Sequence, residues 1–260
     1  MTNVQTIARP IPVLEIFGPT IQGEGLSIGR KTMFVRTAGC DYRCSWCDSA
    51  FTWDGSGKQE IRMLSPDAIW EELAGLGNGQ VSHVVLSGGN PLLLPQLAGL
   101  VRLLRAKGVR TAVETQGSVW QDWVLETDEV TLSPKPPSSG MDPELAQLDR
   151  WISELAPSEG VKAAAERCAS PKPAVSLKIV IFDEQDLDYA AGLHARYPQV
   201  PLVLQTGNRE VTGGSAGDTA VRLLAAYEQL IGQVIARSDL ADVRVLPQLH
   251  TLVWGNKRGV

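Results

Sequence analysis

The sequence predicts an α/β protein built on a largely parallel sheet, a complete or partial (open) β/α barrel. Three observations predict it. Short apolar strands alternate with amphipathic helical stretches over most of the chain. Such alternation implies right-handed crossovers and parallel neighbours. The unusual polar motifs each stand just after a strand, where ligands collect in folds of this kind.

The elements follow in order. "VLEIF" (13–17) and "TMFVRT" (32–37) read as strands. "SPDAIWEELAGL" (65–76) reads as a helix. Ser65 is a good N-cap, Pro66 fits the first turn, and Ile69, Leu73 and Leu76 recur at helical spacing. "HVVL" (83–86) is a short buried strand. A helix over about 95–107 puts Leu97, Leu100, Val101 and Leu104 on one face and stops at Gly108. "RTAVE" (110–114), "EVTL" (129–132), "SLKIVIF" (176–182), "PLVLQ" (201–205) and "VRVL" (243–246) continue the strand series. Helices at about 143–155, 184–196 and 218–231 lie between or after them. Residues 156–174, rich in Ala, Ser and Pro, and 206–217, "TGNREVTGGSAG", read as surface insertions. No internal repeat or low-complexity tract is present.

Composition narrows the function. The 260 residues suit one large domain, or two small ones, with a sizeable core. They are 43% hydrophobic and 20% charged, with a net charge of −5, which does not suit a general binder of nucleic acid or membrane surface. No apolar run reaches the roughly 18 residues of a membrane span. "MTNVQTIARPIPVLEIFG" has no long apolar stretch and no small-residue cleavage pattern, so no export signal is expected. The expected compartment is reducing and cytoplasmic. There, crowded cysteines are more often metal ligands or redox groups than a disulfide framework.

Cys40, Cys44 and Cys47 form C-x3-C-x2-C, while Cys168 stands alone in the first insertion and is read as structural or incidental. Zinc normally takes four ligands as two separated pairs, and no second pair exists. None of His83, His194 or His250 is nearby in sequence. A disulfide would leave an odd thiol. A 4Fe–4S cluster on three thiolates leaves one iron open for a small molecule. Spacing alone leaves iron–sulfur and zinc both standing.

Other motifs mark a second ligand. "GPTIQGEG" (18–25) carries Ile21, Gln22, Gly23 and Glu24 between two strands. Its glycines admit a ligand to the backbone. Its amide and carboxylate suit the lactam and amino edge of a pterin or guanine-like ring. A glycine-rich hairpin with solvated tips would read the same. Arg36 closes the next strand and can fork onto a carboxylate. Asp48 adjoins the last cysteine of the cluster motif. Glu114, in "ETQG", ends a strand, either at a ligand or in a salt bridge. Ser133, Pro134 and Lys135, in "SPKP", offer a hydroxyl and an ammonium that suit a carboxylate, or only a rigid turn. Lys178 lies inside an apolar strand, which is costly unless its head group is paired. Gln205 ends another strand, at "QTGN". His250, in "QLHTLVWG", is either a proton-transfer group or a packed residue.

"CDYRCSWC" resembles the C-x3-C-x-aromatic-C signature of the radical S-adenosylmethionine (SAM) superfamily, with Trp46 at the aromatic position. The resemblance implies a β/α barrel of the radical SAM type, a 4Fe–4S cluster and SAM chelated at its open iron. An electron from the cluster would cleave SAM to a 5′-deoxyadenosyl radical. "SGGNP" (87–91) resembles the superfamily's GGEP motif, with Asn90 where the motif has Glu. Gly88 and Gly89 would let the backbone meet the amino group of SAM, and Ser87 opens the motif beside the substrate.

"IQGEG", "FVRTAGCDYRCSWCDSAFTWDG", "SPKPPS" and "QLHTLVWGNKRGV", in that order, closely resemble the 7-carboxy-7-deazaguanine synthase family over nearly the whole chain. That resemblance implies a single domain over 1–260 that is a lyase. It would contract 6-carboxy-5,6,7,8-tetrahydropterin to 7-carboxy-7-deazaguanine with loss of ammonia, towards queuosine and other 7-deazapurines. It places Trp46, Gly89, Glu114, Ser133, Pro134, Lys135, Lys178 and Gln205 at SAM. It places Ile21, Gln22, Gly23, Arg36, Asp48 and Ser87 at the substrate, with Glu24 and His250 catalytic. It also implies Mg²⁺ held by a hydroxyl after C-D, here Ser49 where Thr is usual. An external electron donor such as flavodoxin or ferredoxin, and a homodimer, complete the expectation. Two other functions compete with this one. A radical SAM activase of another protein would need a docking surface rather than "IQGEG" and Arg36. A zinc-stabilised binding module would be colourless.

Overall fold

The computed structural model describes residues 9–156, 172–210 and 215–260. Among them, nine strands form one sheet. They are β1 (Ile11–Ile21), β2 (Lys31–Thr37), β3 (Arg62–Leu64), β4 (His83–Gly88), β5 (Arg110–Thr115), β6 (Glu129–Leu132), β7 (Ala174–Ile181), β8 (Leu202–Thr206) and β9 (Val243–Leu246). The helices are α1 (Pro66–Leu76), α2 (Leu97–Ala106), α3 (Leu145–Leu155), α4 (Glu184–Arg196), α5 (Ala216–Ile235) and α6 (Leu249–Trp254).

Strand order is β3-β1-β2-β4-β5-β6-β7-β8-β9. Every neighbour from β2 to β9 is parallel, and β1 runs antiparallel to both β2 and β3. β3 and β9 are the two edges, so the sheet is an open barrel of the expected class.

Helix ends follow sequence chemistry. Ser65 Oγ accepts from the Ala68 amide at 3.2 Å, and Pro66 occupies the first turn, where its missing N–H costs nothing. Asp183 and Ser215 cap α4 and α5 in the same way, each accepting at 3.1 Å. α1 packs on β1 and α2, α2 on β5, α4 on β7, α5 on β8 and β9, and α6 on α5.

The period of two along each strand separates core from site. In β7, Val175, Leu177, Ile179 and Ile181 join the core under the helices. Lys178 and Val180 point to the other face and line a cavity. In β8, Leu202 and Leu204 are core and Gln205 faces the cavity. β2 divides into Met33 and Val35 against Phe34 and Arg36. A polar residue inside an apolar strand is therefore tolerated where its parity aims it at the cavity.

The structure departs from expectation at the edges. β1 runs on to Ile21, so half of "GPTIQGEG" is strand rather than hairpin tip. A register shift between Phe17 and Thr20 absorbs the irregularity. Gly18 allows it, with φ of +117° and a Cβ position only 2.9 Å from Thr32 O. β3 is three residues long, too short to show a period. α6 is a further helix, not expected, and α5 is longer than expected at both ends. Most of the first expected insertion, with Cys168, and residues 211–214 of the second lie outside the described residues. No helix among the described residues is long and apolar enough to cross a membrane.

Candidate active site

A cavity of about 230 Å³ opens at the C-terminal ends of the parallel strands. All the residues expected at the site line it except Pro134, which is buried beside it. Sequence reasoning misses Phe17, Tyr42, Trp53, Gln116, Phe182, Asn208, Gln248 and Val260, which line it too. Phe182 follows Lys178 and Val180 at the period of β7, so strand parity would have found it. Tyr42, Trp53, Gln116, Asn208, Gln248 and Val260 lie within motifs already singled out, where nothing separates them from their neighbours.

One wall is the cysteine loop after β2. Backbone bonds close it, from Gly39 N to Thr52 O at 2.8 Å and from Cys47 N to Cys44 O at 3.2 Å. Asn90, completely buried, donates to Asp41 Oδ1 at 2.9 Å and to Ser118 Oγ at 3.0 Å. It accepts from Thr115 Oγ1 at 2.9 Å and the Leu92 amide at 3.2 Å. Its hydrogen-bonding capacity is then full. Gln116 Nε2 donates to the same Asp41 oxygen at 2.6 Å. Asp41 thereby ties the loop to the ends of β4 and β5.

Gly88 and Gly89 serve this docking. A Cβ on Gly88 would lie 2.3 Å from Thr37 O, and one on Gly89 2.1 Å from Gly39 O. The space that their missing side chains leave is filled by the protein's own backbone. Close approach at these glycines is thus first of all between the cluster loop and β4.

The three thiols face the cavity, and burial pushes all of them up, Cys44 to about 11. A thiolate there needs positive charge beside it, which a cluster's irons supply. Among the described residues, no three His, Cys, Asp or Glu side chains converge where a single ion could sit. The donor set fits a cluster better than one zinc ion. Trp46 Nε1 donates to Ser138 Oγ at 3.0 Å, and Ser138 Oγ donates to the buried Asp186 at 2.7 Å. The Trp46 ring meets Phe182 with centroids 5.0 Å apart. Lys135 Nζ lies over the Trp46 ring at 5.8 Å and donates to Ser133 Oγ at 3.2 Å.

A second wall is ionic. Glu24 pairs with Lys178 and accepts from Gln248 Nε2 at 3.0 Å. Burial alone would raise the Glu24 pKa; the Lys178 ammonium and His250 instead hold it well below the usual carboxylate range. Lys178 shows the mirror effect. Burial would lower it, but Glu24 and Glu114 keep it raised and charged. Gln22 Nε2 donates to Glu114 Oε1 at 2.8 Å. Lys178 and Glu114 therefore stand among the residues expected at the substrate.

Gly23 explains the position of His250. A Cβ there would lie 2.2 Å from His250 Nδ1, and Leu249 N donates to Gly23 O at 3.1 Å. Only glycine lets α6 dock this closely. Arg36 donates through Nε to Glu15 at 2.7 Å and through a terminal nitrogen to Ser49 Oγ at 3.1 Å. Ser49 in turn donates to Asp48 Oδ1 at 3.0 Å. One hydroxyl and one carboxylate, with a guanidinium on the hydroxyl, do not by themselves make a Mg²⁺ site.

Several buried polar atoms at the cavity find no hydrogen-bond partner in the protein. They are Ser87 Oγ, both amide atoms of Gln205 and Gln248 Oε1. Such groups cost about 1–3 kcal/mol each when left unmade, a cost that a polar ligand in the cavity would relieve.

Comparison with known proteins agrees with this geometry. Residues 34–133 match the Radical SAM superfamily. The 7-carboxy-7-deazaguanine synthase of Bacillus cereus is 52% identical over 250 residues, covering 96% of this chain and 99% of that one. The enzyme of the same name from Bacillus subtilis is 52% identical over 254 residues, covering 98% and 100%. The crystal structure of QueE from Escherichia coli superposes with a TM-score of 0.63 at 22% identity, over 96% of this chain and all of that one, and so shares the fold. Radical SAM enzymes use a 4Fe–4S cluster and SAM, and the thiol wall has the groups for both. With half its residues shared over nearly full length, the chain belongs to the 7-carboxy-7-deazaguanine synthase family of radical SAM enzymes.

Proposed function

We propose that this protein is a lyase that contracts 6-carboxy-5,6,7,8-tetrahydropterin to 7-carboxy-7-deazaguanine and releases ammonia, a step towards queuosine and related 7-deazapurines. One observation carries the reading: the three thiols and the buried Glu24–Lys178 pair line one cavity. Bound there, the reduced cluster and SAM supply a carbon radical able to take a hydrogen atom from substrate C6. The reaction is redox-neutral, because substrate equals product plus ammonia atom for atom, so SAM is regenerated.

The chain's own residues bind, orient and protect. Cys40, Cys44 and Cys47 would hold the cluster by three of its irons and leave the fourth for SAM. Lys135 and Ser133 take the SAM carboxylate, and Pro134 stiffens their turn. Trp46, Gly89 and Gln205 bound the rest of SAM. Glu24 stays anionic in a dry setting and accepts from the N–H groups of the pterin edge, with Ile21, Gln22, Gly23 and Ser87 around the ring. Lys178 and Glu114, bonded to Glu24 and Gln22, stand between SAM and that edge. Arg36 and Asp48 take the substrate's carboxylate and amino groups. His250 moves the proton at the carbon that becomes C7. Mg²⁺ would bind at Ser49 only when substrate and water complete its oxygen shell. The family resemblance also supports a cytoplasmic homodimer served by flavodoxin or ferredoxin.

The test is anaerobic turnover of cluster-loaded protein with the carboxytetrahydropterin, SAM and dithionite. Product and ammonia should form one to one, with 5′-deoxyadenosine far below product. Cleavage of SAM without product would overturn the reading.

A further inference from the structure

We infer that Trp53 tunes the reduction potential of the cluster by donating its indole N–H to the sulfur of Cys47. The inference rests on the cluster reading above and adds a residue to it. Trp53 Nε1 lies 3.4 Å from Cys47 Sγ. An indole N–H donates and never accepts, so the bond has one direction. It draws electron density from the sulfur and favours the state with the extra electron, which raises the potential.

The other donors at these sulfurs differ in kind. The Tyr42 amide reaches Cys40 Sγ at 3.4 Å and the Ser49 amide serves Cys47 beside Trp53, but any residue at 42 or 49 provides such an amide. Gln116 Nε2 is 3.7 Å from Cys40 Sγ and is held by Asp41 at 2.6 Å. Among the described residues, Trp53 is the side chain whose donor goes to a cluster thiol and to nothing else.

The indole is also held still. Its backbone N–H closes the turn on Ala50 O at 2.9 Å. The Arg43 guanidinium lies over the ring at 4.7 Å. Arg43 is fixed by donating to Cys40 O at 2.6 Å and Tyr42 O at 2.8 Å. The first cysteine's backbone thus clamps the ring that serves the third cysteine.

The experiment is an EPR-monitored redox titration of the cluster-loaded enzyme, parent against Trp53→Phe. Iron content and SAM affinity are measured first. A parent without a cluster would overturn the site reading itself, and is recognised before any titration. With iron and SAM affinity equal to the parent's, Trp53→Phe should lower the reduced-to-oxidised ratio at least about threefold at the parent's midpoint. For one electron that is a shift of about 28 mV to the negative side, from 59 mV per tenfold. Replacement of Trp53 by β-(3-benzothienyl)alanine keeps the shape and removes the N–H, and should shift the potential in the same direction. An unchanged potential in a cluster-bearing variant overturns the inference. So does loss of iron in both variants, which would make Trp53 a support of the loop instead.

Discussion

The two walls of the cavity are built on opposite plans. The thiol wall is local: three ligands and their indole donor lie between Cys40 and Trp53. Its thiols meet neutral N–H donors. The ionic wall is assembled from afar, joining Glu24 to Lys178 and Gln248, and Gln22 to Glu114, across 154, 224 and 92 positions. A loop that must present three thiolates can be written as a motif. A buried ion pair has to be brought together by the sheet, and depends on every register between its members.

Removing a cysteine breaks the local wall outright. Cys40→Ala, Cys44→Ala or Cys47→Ala should each abolish cluster uptake and turnover, read as iron content and visible absorbance, while Cys168→Ala keeps both. Full iron content in any of the first three would remove that cysteine from the ligand set.

Removing one ion breaks the distant wall. Lys178→Met leaves Glu24 buried without its counter-ion and should destabilise the apoprotein by about 3–5 kcal/mol in urea unfolding. The Glu24→Leu, Lys178→Met double variant should recover much of that stability and remain inactive. If the single variant unfolds with the parent, the pair does not hold the wall.

These effects bear on what the sequence makes legible. The open parallel sheet follows from alternating periods, and the thiol wall from spacing within eight residues. Lys178 in "SLKIVIF" announces only that its head group has a polar partner. That the partner is Glu24 follows from the chain after β1 crossing to β6, the neighbour of β7, where Gly25 lies against Thr131, which no local window contains. His250 reaches the cavity because Gly23 lacks a side chain, a contact between the two ends of the chain. β3 and α6 are too short for a period to stand out.

Asn90 gives a smaller effect, as one of several long-range ties that hold the local wall, beside Gln116 on Asp41 and Trp46 on Ser138. Asn90→Ala takes a donor from Asp41 and should cost about 1–3 kcal/mol in urea unfolding. Asn90→Glu sets a second carboxylate against Asp41 and should cost more, with faster loss of iron to a chelator. Equal stability in both would show that Asp41 does not anchor the loop.

His83 belongs to neither wall and gives the smallest effect. It is buried with Thr32 Oγ1 2.8 Å from Nδ1, and burial holds its pKa at about 4. The unfolded chain takes up that proton near pH 6.5, which the fold refuses until about pH 4. Its contribution is full above pH 6.5 and is lost as pH falls, about 1.4 kcal/mol per pH unit at most. The His83→Gln variant should lose less stability than the parent between pH 7 and pH 5.5 by about 1 kcal/mol.

In the proposed reaction the two walls hold two ligands within reach of each other in one cavity. The direct measurement is anaerobic turnover of the substrate deuterated at C6, with 5′-deoxyadenosine and SAM recovered for mass spectrometry. Deuterium should enter the methyl group of 5′-deoxyadenosine and pass into the regenerated SAM. Product formed while both stay unlabelled would contradict the account, because the hydrogen would then have left C6 without the ligand on the thiol wall.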